Sequence, residues 1–181
     1  MELVEVKNTK FEMNRLERLY TGAFPAEERF PFSLLKKRAL AGKADFWNLS
    51  EGGDWVGMAY LVHHGDLVYL FYFAVEAEKR GKGHGTNAIK AILEHYRGNR
   101  VFLALEDWCE ECGNRDERVR RHNFYMNCGL KDIPYRLREL TMSYRLMGVG
   151  GRVEPEEYKM MMGGYFGWFW KHFIRSYIAK E

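Results

Sequence analysis

Arg80-Gly81-Lys82-Gly83-His84-Gly85-Thr86 lies between a strand pattern and a helix pattern, and that placement decides the fold. The run before it, Leu67 to Val75 (LVYLFYFAV), is almost unbroken apolar sequence, as expected of a strand buried on both faces. After it, Ile89, Ile92, Leu93 and Tyr96 recur at i, i+3, i+4 and i+7, which marks one face of a helix. The glycines therefore fall where a strand hands over to a helix N-terminus, whose first N–H groups have no intrahelical partner. A phosphate is the natural occupant of such a place. A Walker loop would need Gly-x-x-x-x-Gly-Lys-Ser/Thr, which does not occur here. The dinucleotide fingerprint Gly-x-Gly-x-x-Gly is not met either, since Gly81, Gly83 and Gly85 alternate with single residues. The bland alternative is a glycine-rich surface turn carrying two cations.

Arg80, Gly83 and Gly85 fill the pattern Arg/Gln-x-x-Gly-x-Gly/Ala. Further on, Asn123-Phe124-Tyr125-Met126-Asn127-Cys128-Gly129-Leu130 matches Phe-Tyr-x-x-x-Gly-Phe, with Leu130 in place of the last Phe. With a strand pattern at Val101 to Glu106 between them, the chain resembles the GNAT superfamily of acetyl-CoA-dependent N-acetyltransferases from Lys10 to Leu146. The resemblance implies an α/β (α+β) fold: a mixed central sheet of about six to seven strands, splayed in the middle and flanked by helices. Acetyl-CoA would bind in the opening and pass its acetyl group directly to an amine, small molecule or peptide, in a ternary complex. A non-catalytic CoA-binding module or sensor on the same fold is the rival class.

The resemblance also assigns residues. Phe73, Ala74 and Val75 would turn backbone groups toward the pantetheine arm and the acetyl oxygen, where donors aimed at developing charge are worth about 10²–10³ in rate. Gly81 belongs to the loop, and Lys82, Gly83, His84, Gly85 and Thr86 would hold the diphosphate through the main chain. Gly83 and Gly85 would allow the backbone to close on it, while Arg80 adds charge or braces the loop. Tyr125 would be the general acid that protonates the departing thiolate. Arg118 stands where many relatives carry an asparagine, seven residues before the tyrosine, and Arg118 or Arg121 would reach the CoA phosphates. The base is less defined: Glu106 at the end of the next strand, Glu28 in the loop after the first helix, or water. Glu27, Glu28, Glu106 and Asp107 together favour a small primary amine as acceptor.

Bulk properties set limits. A chain of 181 residues can form one domain with a proper core. A net charge of +3 is too small for a nucleic-acid partner, which would require a basic stripe. No apolar segment follows Met1 and no run is long enough to span a bilayer. Three cysteines suit a reducing cytosol, so a cytoplasmic location is expected. Cys109-Glu110-Glu111-Cys112 has zinc-like spacing but lacks a second Cys or His pair, so no metal is expected. Cys128, just before Gly129, reads as a helix end rather than an acetyl-accepting nucleophile.

Helices are expected to Phe24-Pro25, over Phe32 to Leu40, and over Asp116 to Asn127. Strands are expected near Phe46 to Leu49 and Trp55 to Val62, joined by Gly52-Gly53, with one or two more between Leu137 and Met147. Residues 1–147 form the expected acetyltransferase domain and 148–181 a C-terminal helical extension. Pro155-Glu156-Glu157 is a good helix start, and Gly163-Gly164 predicts a break. A second, aromatic helix would carry Phe166, Trp168, Phe169, Trp170, Phe173, Tyr177 and Ile178. It would pack on the same domain, form a homodimer contact, cover the acceptor cleft or, as a basic aromatic helix, lie on a membrane surface.

Overall fold

The computed structural model describes residues 1–110, 112–139, 142–167 and 176–180. They divide into two compact units, Met1–Val62 with Leu70–His95, and His63–Tyr69 with the chain from Tyr96 onward.

In the first unit, β1 (Glu2–Glu5), β2 (Ala44–Glu51) and β3 (Asp54–His64) are antiparallel, with the last part of β4 (Leu67–Val75) beside β3. Strand β1 was not apparent from the sequence; its glutamates at both ends break the strand pattern. The Gly52-Gly53 hairpin forms as expected, and a bulge at Val56 shifts the β2–β3 register between Leu49↔Gly57 and Ser50↔Trp55. Gly57 permits a close approach: a Cβ there would lie 2.2 Å from the carbonyl oxygen of Ala74. Helix α1 (Lys10–Ala23) starts at Thr9, whose hydroxyl accepts from the Glu12 N–H at 3.3 Å, and stops before Pro25. Helix α2 (Phe32–Leu40) follows, and α3 (His84–His95) comes after β4. Leu16, Tyr20, Leu35, Tyr60, Ile89 and Ile92 are buried, each apolar side chain contributing about 1.5–3 kcal/mol by leaving water.

In the second unit, the first residues of β4 run parallel to β5 (Arg100–Glu106), in the register Leu67↔Arg100, Val68↔Val101 and Tyr69↔Phe102. Among the described residues these three pairs are the whole of that parallel ladder. Strand β7 (Met142–Val149) is antiparallel to β5 and to β6 (Lys131–Glu139), which bulges between Ile133 and Arg136 around Pro134. Helix α4 (Arg115–Asn127) joins β5 to β6, and α5 (Pro155–Phe166) follows β7. The rings of Tyr69 and Phe102 stack at 4.5 Å, with Tyr158 of α5 beside them.

The extension departs from expectation in two ways. Helix α5 starts at Pro155, with Glu154 and Glu157 forming a capping box, but it runs through Gly163-Gly164 without a break. Two glycines cost about 1 kcal/mol each against alanine. Met161, Met162, Tyr165 and Phe166 are all buried around them, and about 1.5–3 kcal/mol per large side chain outweighs that cost. The helix ends at Gly167, at φ +68°, whose N–H bonds to Gly163 O at 2.8 Å. Second, Tyr177 and Ile178 lie not on a helix but in β8 (Ser176–Lys180), antiparallel to β6. The unpaired edge of β6 offers backbone partners, and aromatic and β-branched residues favour the extended state. Among the described residues β1 and β8 are strands that the sequence did not show, in a mixed sheet flanked by helices as expected. Trp168, Phe169, Trp170 and Phe173 lie outside the described residues.

No helix among the described residues is long and apolar enough to cross a membrane.

Candidate active site

Strand β4 ends at Val75, a single 3₁₀ turn follows at Ala77–Lys79, and the glycine loop then enters α3. Gly81 (φ +73°) and Gly83 (φ +83°) adopt left-handed conformations that L side chains resist, and a Cβ at either would meet open space. The first backbone bond of α3 runs from Asn87 N–H to Gly83 O at 3.0 Å. The N–H groups of His84, Gly85 and Thr86 precede it and have no intrahelical acceptor. Gly85 sits within the first helical turn; its conformation is helical, so it is Gly81 rather than Gly85 that shares the left-handed requirement with Gly83. Arg80 braces the loop: its Nε donates to Val75 O at 3.0 Å. Lys82 Nζ donates to Glu78 O at 3.0 Å. Phe73, Ala74 and Val75 thus share a unit with the entire loop.

Glu28 closes a 3₁₀ turn, Ala26–Glu28, between α1 and α2. Buried Tyr72, one residue before Phe73 on β4, holds this segment. Its hydroxyl donates to Glu28 O at 2.9 Å and accepts from Phe30 N–H at 3.2 Å. Tyr20 donates to Phe30 O at 2.9 Å, and its ring meets that of Tyr72 edge-on at 4.8 Å. Burial pushes the Tyr20 phenol up, which keeps it a donor. The sequence showed both tyrosines only as core residues, because a hydroxyl's partner in a distant loop leaves no periodic trace.

The second unit holds the remaining candidates. Tyr125 lies on α4 and is buried. Burial pushes its phenol well above the ordinary tyrosine value, with Arg121 acting in the opposite direction. Glu106, ending β5, receives Arg118 on one oxygen at 3.0 Å and Arg121 on the other at 3.1 Å. Arg118 also donates to Asp107 O (3.1 Å) and to Glu110 (3.0 Å), and Arg121 to Glu117 (3.2 Å). Arg118 and Arg121 fasten α4 to the end of β5, and both oxygens of Glu106 accept from guanidinium donors. Neighbouring Asp107 is buried, with Arg136 at 2.6 Å and Arg145 at 2.7 Å. Burial raises its pKa, but the Cys109 N–H and the two arginines prevail and hold it below the usual carboxylate range. Asp107 is therefore an internal counter-ion.

Another group escaped notice in the sequence. Glu51, ending β2, contacts His84 Nδ1 through one carboxylate oxygen and accepts from Asn87 Nδ2 at 2.8 Å through the other. Its partners lie more than thirty residues away in the chain, and no local pattern links them. Among the described residues no group of three or more His, Cys, Asp or Glu side chains could hold a metal; none of Cys109, Cys112 and Cys128 is in a disulfide.

A mixed sheet whose central strand feeds a left-handed glycine turn and an open helix N-terminus defines an acyl-CoA N-acyltransferase fold. The family model for the Acetyltransferase (GNAT) family matches residues 13–130, and the chain belongs to that family. None of the curated proteins matches it by sequence. Among solved structures, it is similar to a protein from Bacteroides thetaiotaomicron assigned to the GNAT acetyltransferases: 17% identity, TM-score 0.69, covering 94% of this chain and 97% of that one. An aminoglycoside 6'-N-acetyltransferase complexed with coenzyme A is similar at 14% identity and TM-score 0.62, over 82% and 96% of the two chains. The ribosomal-protein-S18-alanine N-acetyltransferase from Escherichia coli is similar at 15% identity and TM-score 0.60, over 86% and 96%.

Proposed function

We propose that the protein is an acetyl-CoA-dependent N-acetyltransferase that transfers its acetyl group directly to an amine in a ternary complex. The single observation that carries this reading is the loop after β4: two left-handed glycines leading into the first N–H groups of α3, which have no intrahelical acceptor. Backbone donors at a helix N-terminus suit a diphosphate, and the last residues of β4 lie immediately upstream, where a pantetheine arm would run.

In the reaction, the lone pair of a neutral amine attacks the thioester carbonyl and a C–N bond forms. The tetrahedral intermediate collapses, the C–S bond breaks, and the thiolate takes a proton. Tyr125 supplies that proton. Its raised pKa keeps the phenol protonated at neutral pH, so the donor is always charged with its hydrogen. A free thiol has a pKa near 8.5, and one unit of mismatch is about 1.4 kcal/mol. Full transfer from the phenol in advance would be uphill, so the proton moves as the C–S bond breaks. The amine's proton leaves through Glu28 or water, since Glu106 is engaged by two arginines. Preference for a cationic amine rests on Glu27 and Glu28, in the segment fixed by Tyr72, because Glu106 and Asp107 are neutralised internally.

The test is thiol release from acetyl-CoA across polyamines, aminoglycosides, amino acids and short peptides bearing a free N-terminus, each against a blank without acceptor. Release that depends on one acceptor supports the proposal. CoA binding without release from any acceptor transfers support to the binding-module class.

A further inference from the structure

Many charged side chains of this protein answer one another, but a cavity in the first unit is lined by two that do not. It lies between the start of α1, the second half of α2 and the first residues of β2, with a volume of about 280 Å³. Met13 and Phe46, both buried, supply apolar lining, and Leu40, also lining it, is 64% exposed. The Phe46 ring meets Phe32 edge-on at 6.1 Å and Tyr60 edge-on at 5.1 Å, so it is held in place and does not turn to fill the space. Lys36, half-buried on α2, and Glu5, exposed at the end of β1, line the same cavity. Among the described residues neither side chain has a hydrogen-bond or ion-pair partner, so the two do not reach each other. Asp45 adds a second acid to the lining.

The cavity is remote from the residues of the acetyl-transfer reading. Phe46 and Glu51 both lie on β2, five residues or about 17 Å of strand apart, and it is Glu51 that meets His84 at the glycine turn. Met13 and the segment of Glu28 lie at opposite ends of α1, which rises about 15 Å from Met13 to Ala23. A small cavity, at the lower end of the usual range of about 300–1,000 Å³, admits a small molecule only. A half-buried ammonium without a counter-ion suits a carboxylate, the unpaired acid suits an ammonium, and the wall of Met13 and Phe46 suits a hydrocarbon group. Together these features describe a zwitterion with an apolar side chain. We propose that the cavity binds a free α-amino acid of the leucine, methionine or phenylalanine kind. Its carboxylate would meet Lys36 Nζ, its ammonium Glu5, and its side chain Met13 and Phe46. This second site does not depend on the acetyl-CoA reading.

The experiment is calorimetric titration of L-leucine, L-methionine and L-phenylalanine into the full chain. Isocaproate, isoamylamine and glycine serve as comparison ligands that lack the amine, the carboxylate and the side chain of leucine in turn. At least one of the three amino acids should bind in the micromolar to millimolar range expected of so small a ligand. Each comparison ligand should bind about tenfold or more weakly than leucine, the size of one lost charged hydrogen bond or one lost apolar side chain. Lys36→Gln should weaken the amino acid about tenfold, and Glu5→Gln by a smaller factor, since Asp45 remains. Neither side chain has a partner to lose, so both variants should melt with wild type. The proposal fails if none of the three amino acids binds at millimolar concentration. It fails if they bind both variants as tightly as wild type, which would place them elsewhere on the protein, the acceptor site included. It fails as well if isocaproate or isoamylamine binds as tightly as leucine, which would mark a cavity that does not read the zwitterion.

Discussion

Replacing Gly57 by alanine tests the strand geometry behind the candidate site. A Cβ at position 57 would stand 2.2 Å from Ala74 O and 3.0 Å from Val75 Cα, all backbone atoms that cannot rotate aside. Relief requires β3 and β4 to separate by about 1 Å locally, and overpacking of this kind costs about 1–3 kcal/mol or more. For a chain of this size each kcal/mol lowers the melting temperature by about 2–4 °C, so a fall of about 2–12 °C is expected. The displaced residues, Ala74 and Val75, are those proposed to hold the pantetheine arm, so CoA affinity should fall with stability. Gly22→Ala is the control: it lies in α1 with nothing within 4 Å of its Cβ. Helix propensity makes that change neutral or stabilising, by up to about 1 kcal/mol. Thermal melts and CoA titrations of both variants decide the matter. If Gly57→Ala melts with wild type and binds CoA equally, then β3 and β4 do not approach as described and the link to the pantetheine residues is refuted.

Gly83→Ala adds a Cβ into open space at φ +83°. It should cost about 1–2 kcal/mol in melting experiments from backbone strain, yet weaken CoA by a larger factor than that strain implies. Tyr125→Phe should lower turnover by about 10²-fold or more with CoA affinity unchanged in titrations; an unchanged rate removes Tyr125 from the mechanism. Tyr72→Phe deletes the bonds to Glu28 O and Phe30 N–H, so hydrogen exchange should accelerate in peptides covering residues 26–31 but not in the α3 peptide. Arg100 joins Asp66 and Glu157, and the pKa of each carboxylate is lowered, chiefly by its hydrogen bond to Arg100. A lowered carboxylate stabilises the fold above its unfolded value, about 4, and that contribution is lost as pH falls through the folded value. Arg100→Gln should therefore destabilise at pH 7 and flatten the loss of stability measured by melts between pH 5 and pH 2; an unaltered acid slope would contradict the clamp.

The contrast between what was legible and what was not follows the range of the interactions. Strand β4, the glycine turn and α3 were legible because a buried strand, a helix N-terminus and the turn between them are local in sequence. Helix α5 was legible at its start, where the acids and Pro155 act over one turn. It was misjudged at Gly163-Gly164, where burial of Met161, Met162, Tyr165 and Phe166 overrides propensity. The charged residues were the hardest to assign. Glu106, Arg118 and Arg121 are each plausible as catalytic or phosphate-binding groups when taken singly, and only their mutual distances show that they neutralise one another. The same holds in reverse for Glu51 and His84. One lies in a hairpin and the other in a loop assigned to backbone contacts, so their pairing emerges only when the fold brings β2 to the first turn of α3. A charge in sequence is therefore a candidate ligand only until its counter-ion is located.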